Sequence, residues 1–157
     1  MSNGLTLVHC STEFDPAVTT VRVDLTATVF EAGGVAPTDI IHTDQAWWVE
    51  VKLKVTGHLM HHMGGQWLVA VVLESIGPGN DYKFPTPAKA VPLDPCGNGE
   101  YTIRIDVPAG QVEGQAPEGT LYLVGVTIGT LDICGHPSHI HAHCSGGDLH
   151  FVPPHHP

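Results

Sequence analysis

The sequence predicts an all-β protein built as two packed antiparallel sheets, and three observations carry that prediction. Stretches of regular apolar–polar alternation recur along the chain, and none sustains the apolar period near 3.6 of an amphipathic helix. Turn formers are abundant, with 18 glycines and 13 prolines in 157 residues. Charged residues make up only 14%, against roughly a quarter in ordinary globular chains. The surface is therefore made largely of Thr, Ser, Gln, His, Gly and Pro, and sparse charge on a β-protein favours burial against copies of itself or a partner.

The length suits one domain, residues 1–152, followed by a Pro/His tail at 153–157. A short leading strand is expected around Leu5 to Cys10. From Thr20 to Phe30, Val21, Val23, Leu25, Ala27 and Val29 share one face and Arg22, Asp24, Thr26 and Thr28 the other. Glu31 to Asp44, with a Gly-Gly pair and Pro37, reads as a loop. Trp47 to Thr56 repeats the alternation, with Trp47, Val49, Val51, Leu53 and Val55 inward. A loop from Gly57 to Gly65 leads to a strand over Gln66 to Glu74. Its second face, Leu68, Ala70 and Val72, is apolar too, which marks a central strand or one that covers a partner.

Ile76 to Asp81 is a turn. Tyr82 to Asn98 holds Pro85, Pro87, Pro92 and Pro95, which a sheet tolerates only at an edge. Tyr101, Ile103, Ile105 and Val107 alternate with polar residues as another strand, and Pro108 to Gly119 is a loop. Thr120 to Leu131 is a longer apolar strand in which Gly125 and Gly129 mark bulges or close backbone approach. Ser138 to Cys144 forms a further strand, Gly146-Gly147 reads as a two-residue hairpin turn, and a closing strand ends at Phe151. About seven or eight short strands of this kind predict an antiparallel β-sandwich, immunoglobulin-like in the first instance and a jelly roll in the second. No antibody-type Cys…Trp…Cys framework is present, but Trp47 or Trp67 can fill the inter-sheet core.

Trp48, Val51, Gly57, Gly64-Gly65-Gln66-Trp67 and Leu73-Glu74-Ser75-Ile76-Gly77-Pro78-Gly79 resemble a group of bacterial immunoglobulin-like β-sandwich proteins with no assigned activity. The resemblance spans residues 45–152 and implies a fold but no function. The chain departs from it in the final hairpin, where histidines occupy otherwise bland positions.

Acidic residues number 16 against 6 basic, for a formal charge of −10. With no Lys/Arg cluster, nucleic acid and anionic membranes are not expected partners. Protonating the 12 histidines would move the charge from −10 to +2, mostly around the reference pKa of roughly 6.5. No signal-peptide pattern or membrane-length apolar run is visible, so a cytoplasmic setting with reduced thiols is expected. The four cysteines, Cys10, Cys96, Cys134 and Cys144, contain no C-x-x-C pair, which removes zinc-ribbon and thioredoxin-type readings.

Chemistry is expected in Cys134–His150, which concentrates histidine and two cysteines. If Gly146-Gly147 is the loop, His143 faces His150 across the ladder and His141 lies two residues along on the same face. Three imidazoles converging there would suit Zn²⁺, Cu²⁺ or Ni²⁺, and an open fourth position would suit catalysis. Alternation adds His139 at the far end, and the preceding turn offers Cys134 and His136. Cys144 would then be a buried small hydrophobe, or would bridge Cys134 in an oxidising compartment. The ordinary alternative is an exposed polar strand that uses His where others use Thr or Lys.

His58, Met60, His61, His62 and Met63 form a second cluster, with a copper-friendly donor set, in a loop that is equally well explained by packing and solvation. Asp94 to Glu100 has oxygen donors for Ca²⁺ but lacks EF-hand spacing and reads as a turn. Gly-x-Ser-x-Gly and phosphate-binding glycine loops are absent, and neighbouring Cys134 and His136 make a poor nucleophile–base pair. The leading expectation is a non-enzymatic module acting by binding or self-assembly, as a homo-oligomer or with a protein partner, with a His-based Zn or Cu site on its last hairpin. The rivals are a small His-triad metalloenzyme and a pH-responsive interaction surface.

Overall fold

Each alternating stretch is a strand in the computed structural model, which describes residues 6–14, 21–33, 36–57, 61, 64–114 and 118–154, with the backbone alone at 6, 7, 11–14 and 139. Leu5, Thr20 and the tail histidines His155 and His156 lie outside the described residues. Among the described residues nine strands follow in chain order: β1 (Thr6–Phe14), β2 (Val21–Glu31), β3 (Ile40–His42), β4 (Trp47–Thr56), β5 (Gln66–Ser75), β6 (Tyr82–Pro92), β7 (Glu100–Val107), β8 (Thr120–Leu131) and β9 (Pro137–Val152). The described residues contain no α-helix.

Two sheets result, one in the order β1-β2-β4-β7 and one in the order β3-β9-β8-β5-β6. All pairings are antiparallel except that of β3 with β9. They pack face to face as a β-sandwich, the architecture that the immunoglobulin-like and jelly-roll expectations share. The period of two sends Val23, Leu25, Val49, Val51, Ile103 and Ile105 inward from the smaller sheet. Trp67, Val69, Val71, Tyr122, Val124 and Val126 meet them from the larger one. Trp47 and Trp67 are both buried. Trp47 meets Phe151 edge-on at 5.4 Å between centroids, and Trp67 meets Tyr101 at 6.1 Å.

The edges differ from expectation in ways the backbone explains. β1 runs to Phe14, and the expected loop over 31–44 contains β3, whose three residues pair with His150 to Val152. The Pro-rich stretch is the edge strand β6, as its composition demands. Its ladder with β5 breaks between Val69↔Lys89 and Val71↔Phe84. Pro85 and Pro87 sit inside that break, where no ladder N–H is required of them. Lys89 reaches from β6 to donate through Nζ to the Arg104 carbonyl of β7 at 2.7 Å. A lysine on an exposed edge also opposes edge-to-edge strand addition.

The largest departure concerns the C-terminal stretch. β9 is one strand of 16 residues, and Gly146-Gly147 does not turn. β8 is long enough to pair with both halves of β9, from Leu131↔Pro137 to Thr120↔Phe151. The register moves from Gly125↔Ser145 to Leu123↔Asp148, so Gly146 and Gly147 together oppose Val124. The two glycines are a β-bulge. The extra residue switches which parity faces the core, so that Cys144 and then Leu149 and Phe151 are buried.

Candidate functional site

The candidate residues sit on the β8–β9 hairpin, so its turn comes first. Asp132 organises it: one carboxylate oxygen accepts the backbone N–H of Cys134 and of His136, each at 2.9 Å. Those backbone hydrogen bonds, that from His136 foremost, hold the Asp132 carboxyl below its ordinary value. Cys134 and His136 are exposed in the turn, and the Cys134 thiol is free. The nearest charged partner of His136 is Asp132, at 3.7 Å from Nδ1.

Beyond the turn, β9 alternates. Ile140, Ala142 and Cys144 face inward, while His141 and His143 are exposed on the outer face. His141 pairs with Gly129 and His143 with Thr127. The His143 ring lies across Gly125, where an added Cβ would stand 2.8 Å from its Cε1 and 3.2 Å from its Nε2. Gly125 is therefore a place of close approach, filled by an imidazole.

His150 does not join them. Its Nε2–H donates to the Glu118 carbonyl at 2.7 Å, beside the loop that leads into β8. Seven residues of strand at about 3.3 Å each place it roughly 20 Å from His143. The expected convergence of His141, His143 and His150 fails because it required a turn at Gly146-Gly147, and a bulge keeps the strand running on. The His139 side chain lies outside the described residues. No group of three or more His, Cys, Asp or Glu is placed to hold a metal ion among the described residues.

The cysteines are also arranged otherwise than expected. Cys144 is bonded to Cys10 of β1, with Cα atoms 6.2 Å apart and a sequence separation of 134. A Cys134–Cys144 bridge is thereby excluded. Alternation on β9 turns Cys144 into the sandwich, where Cys10 meets it from the other sheet. Spacing within the hairpin carried no signal of this pairing. The parity of Cys144 with Ile140 and Ala142 was the one available hint, since it aimed the thiol at the core.

Of the second cluster, His58, Met60, His62 and Met63 lie outside the described residues, and His61 donates through Nδ1–H to the Pro95 carbonyl at 2.8 Å. Asp94 to Glu100 is a turn, as its composition indicated. Asp94 accepts the N–H of Cys96 at 3.1 Å, and Asn98 accepts that of Glu100 at 3.0 Å. These oxygens serve the backbone.

On the smaller sheet, Phe30 stacks on Trp48 with centroids 4.1 Å apart, and the Arg104 guanidinium lies 4.1 Å from the Trp48 ring centroid. A shallow depression of about 270 Å³ borders Trp48 and Arg104. On the larger sheet, the outward residues of β5 are Leu68, Ala70 and Val72, paired with Gly129, Thr127 and Gly125 of β8. A scan against protein-family models finds no match for the chain, and a search of curated proteins finds none either.

Proposed function

We propose that the chain is a non-enzymatic β-sandwich module that self-associates, with the outward face of the five-stranded sheet as the surface that meets a second copy. The observation that supports this is the composition of that face. β5 offers half-buried Leu68 and Val72 with Ala70 buried between them, and β8 lays Gly129 and Thr127 beside them, so the centre is uncharged. Its charges, Glu74, Lys83 and Asp148, gather at one end, in the rows of Val72↔Lys83 and Glu74↔Leu123↔Asp148.

Four strands about 4.8 Å apart and ten residues long present roughly 600 Å² before side-chain relief. That approaches the ~800 Å² per partner of a standard interface. A copy related by a two-fold axis would bury the same patch on both sides.

Light scattering on the untagged protein tests the reading. Dimers that become monomers in Leu68→Glu are expected, because a carboxylate in the uncharged row of Ala90, Leu68 and Gly129 would be buried unpaired in the interface. A wild-type monomer at high concentration, with and without zinc, would sink the proposal. The Cys10–Cys144 bridge further supports residence in an oxidising compartment, in place of the cytoplasmic setting expected from the sequence.

A further inference from the structure

We infer that His141 and His143 are a chelating pair for a late first-row divalent metal ion, Cu²⁺ above all, independently of whether a second copy docks on the same face. Both side chains leave one strand on one face and are exposed. Two steps of strand separate their Cα atoms by about 6.6 Å. Cis donors at about 2.0 Å from an ion lie about 2.8 Å apart, a gap the pair closes when the exposed His143 ring swings from over Gly125 toward His141.

The neighbouring strand leaves them room. Opposite the pair, β8 carries Gly125, Thr127 and Gly129, so no large side chain stands beside either ring. An added Cβ at Gly125 would meet the His143 ring, and one at Gly129 would lie 3.9 Å from His141 Cβ. β3, on the other side of β9, pairs only with His150 to Val152. Among the described residues neither ring has a hydrogen bond or ion pair to give up on binding.

Two neutral imidazole nitrogens on adjacent corners suit the tetragonal preference of Cu²⁺, which also heads the affinity order for such donors. Water fills the other corners, since no third His, Cys, Asp or Glu joins the pair among the described residues. The backbone supplies what an isolated pair of histidines lacks: strand geometry holds the second donor close once the first has bound.

The test uses the Cu²⁺–iminodiacetate complex, whose cap leaves few positions open and so favours paired imidazoles over single ones. Untagged, folded protein is alkylated at Cys96 and Cys134 beforehand, so that no free thiol reduces the ion. Wild type is expected to bind at least about tenfold more tightly than H141A or H143A, with a copper spectrum split by two imidazole nitrogens. H150A should match wild type, and the remaining histidines contribute alike to all four proteins. Equal binding by wild type and both variants would overturn the site. Loss in only one of H141A and H143A would overturn the chelate, because a single-imidazole contact needs only one. Monomers that bind copper as expected would leave this site standing and remove only the self-association.

Discussion

Replacing Cys10 by serine removes the disulfide that joins the two sheets and should lower stability by several kcal/mol. The bridge joins β1, which pairs only with β2 at one edge of the smaller sheet, to Cys144 in the middle of β9. With the two cysteines 134 positions apart in sequence, loop-closure entropy alone amounts to about 5 kcal/mol at 25 °C. Measured effects of such bridges run closer to 2–4 kcal/mol, so a loss of about 3–5 kcal/mol is expected. That is a large part of the ~5–15 kcal/mol that holds a typical domain together. For a chain of 157 residues, each kcal/mol moves the melting temperature by roughly 2–4 °C, which predicts a fall of about 6–20 °C. Calorimetry of oxidised wild type, reduced wild type and Cys10→Ser provides the measurement. The last two should melt together, because a reduced Cys144 remains a small buried hydrophobe. Oxidised wild type and Cys10→Ser melting at the same temperature would refute the reasoning.

Three further predictions come from glycine and tyrosine positions. Gly65 has φ +97°, and an added Cβ would stand 2.8 Å from the Asp132 backbone, so Gly65→Ala should lose about 2–4 kcal/mol in urea unfolding. Gly125→Ala meets chiefly the exposed His143 ring, which can swing aside, and should lose no more than about 1 kcal/mol. Tyr122 is buried, and its hydroxyl donates to the Glu113 carbonyl at 2.8 Å. Burial first, and then the nearby Tyr82 and Glu113, push its pKa up to about 12. Its contribution is therefore whole below the unfolded value near 10 and is lost as pH rises through about 12. Tyr122→Phe should lose about 1 kcal/mol at neutral pH and show a shallower alkaline decline in stability than wild type.

Strand alternation could be read directly from the chain because it depends only on the side chains of one segment. Val21 to Val29 and Trp47 to Val55 face inward in the order their spacing implied, and the prolines of β6 fall at an edge. The Asp94 to Glu100 turn was legible for the same reason, since short polar side chains there bond to the backbone nearby. The apolar outer face of β5 was visible as Leu68, Ala70 and Val72, although the burial of Ala70 between the other two shows only in the folded sheet. β3 could not be foreseen, because three residues in a loop become a strand only where β9 offers a free edge.

By itself, then, the chain determined two sheets, the inward residues of most strands, and the shared face of His141 and His143. Each of these follows from a period of two that every segment carries within it. Tertiary structure decided whether Gly146-Gly147 turns or bulges, because both conformations suit glycine and the choice fell to the length of β8 alongside. It likewise decided the partner of Cys144, which lies 134 residues away on the opposite sheet. The bulge carried His150 away from the other two histidines, and the pairing brought Cys10 to Cys144. Both outcomes depend on which distant backbone lies next to the segment, and no local pattern contains that.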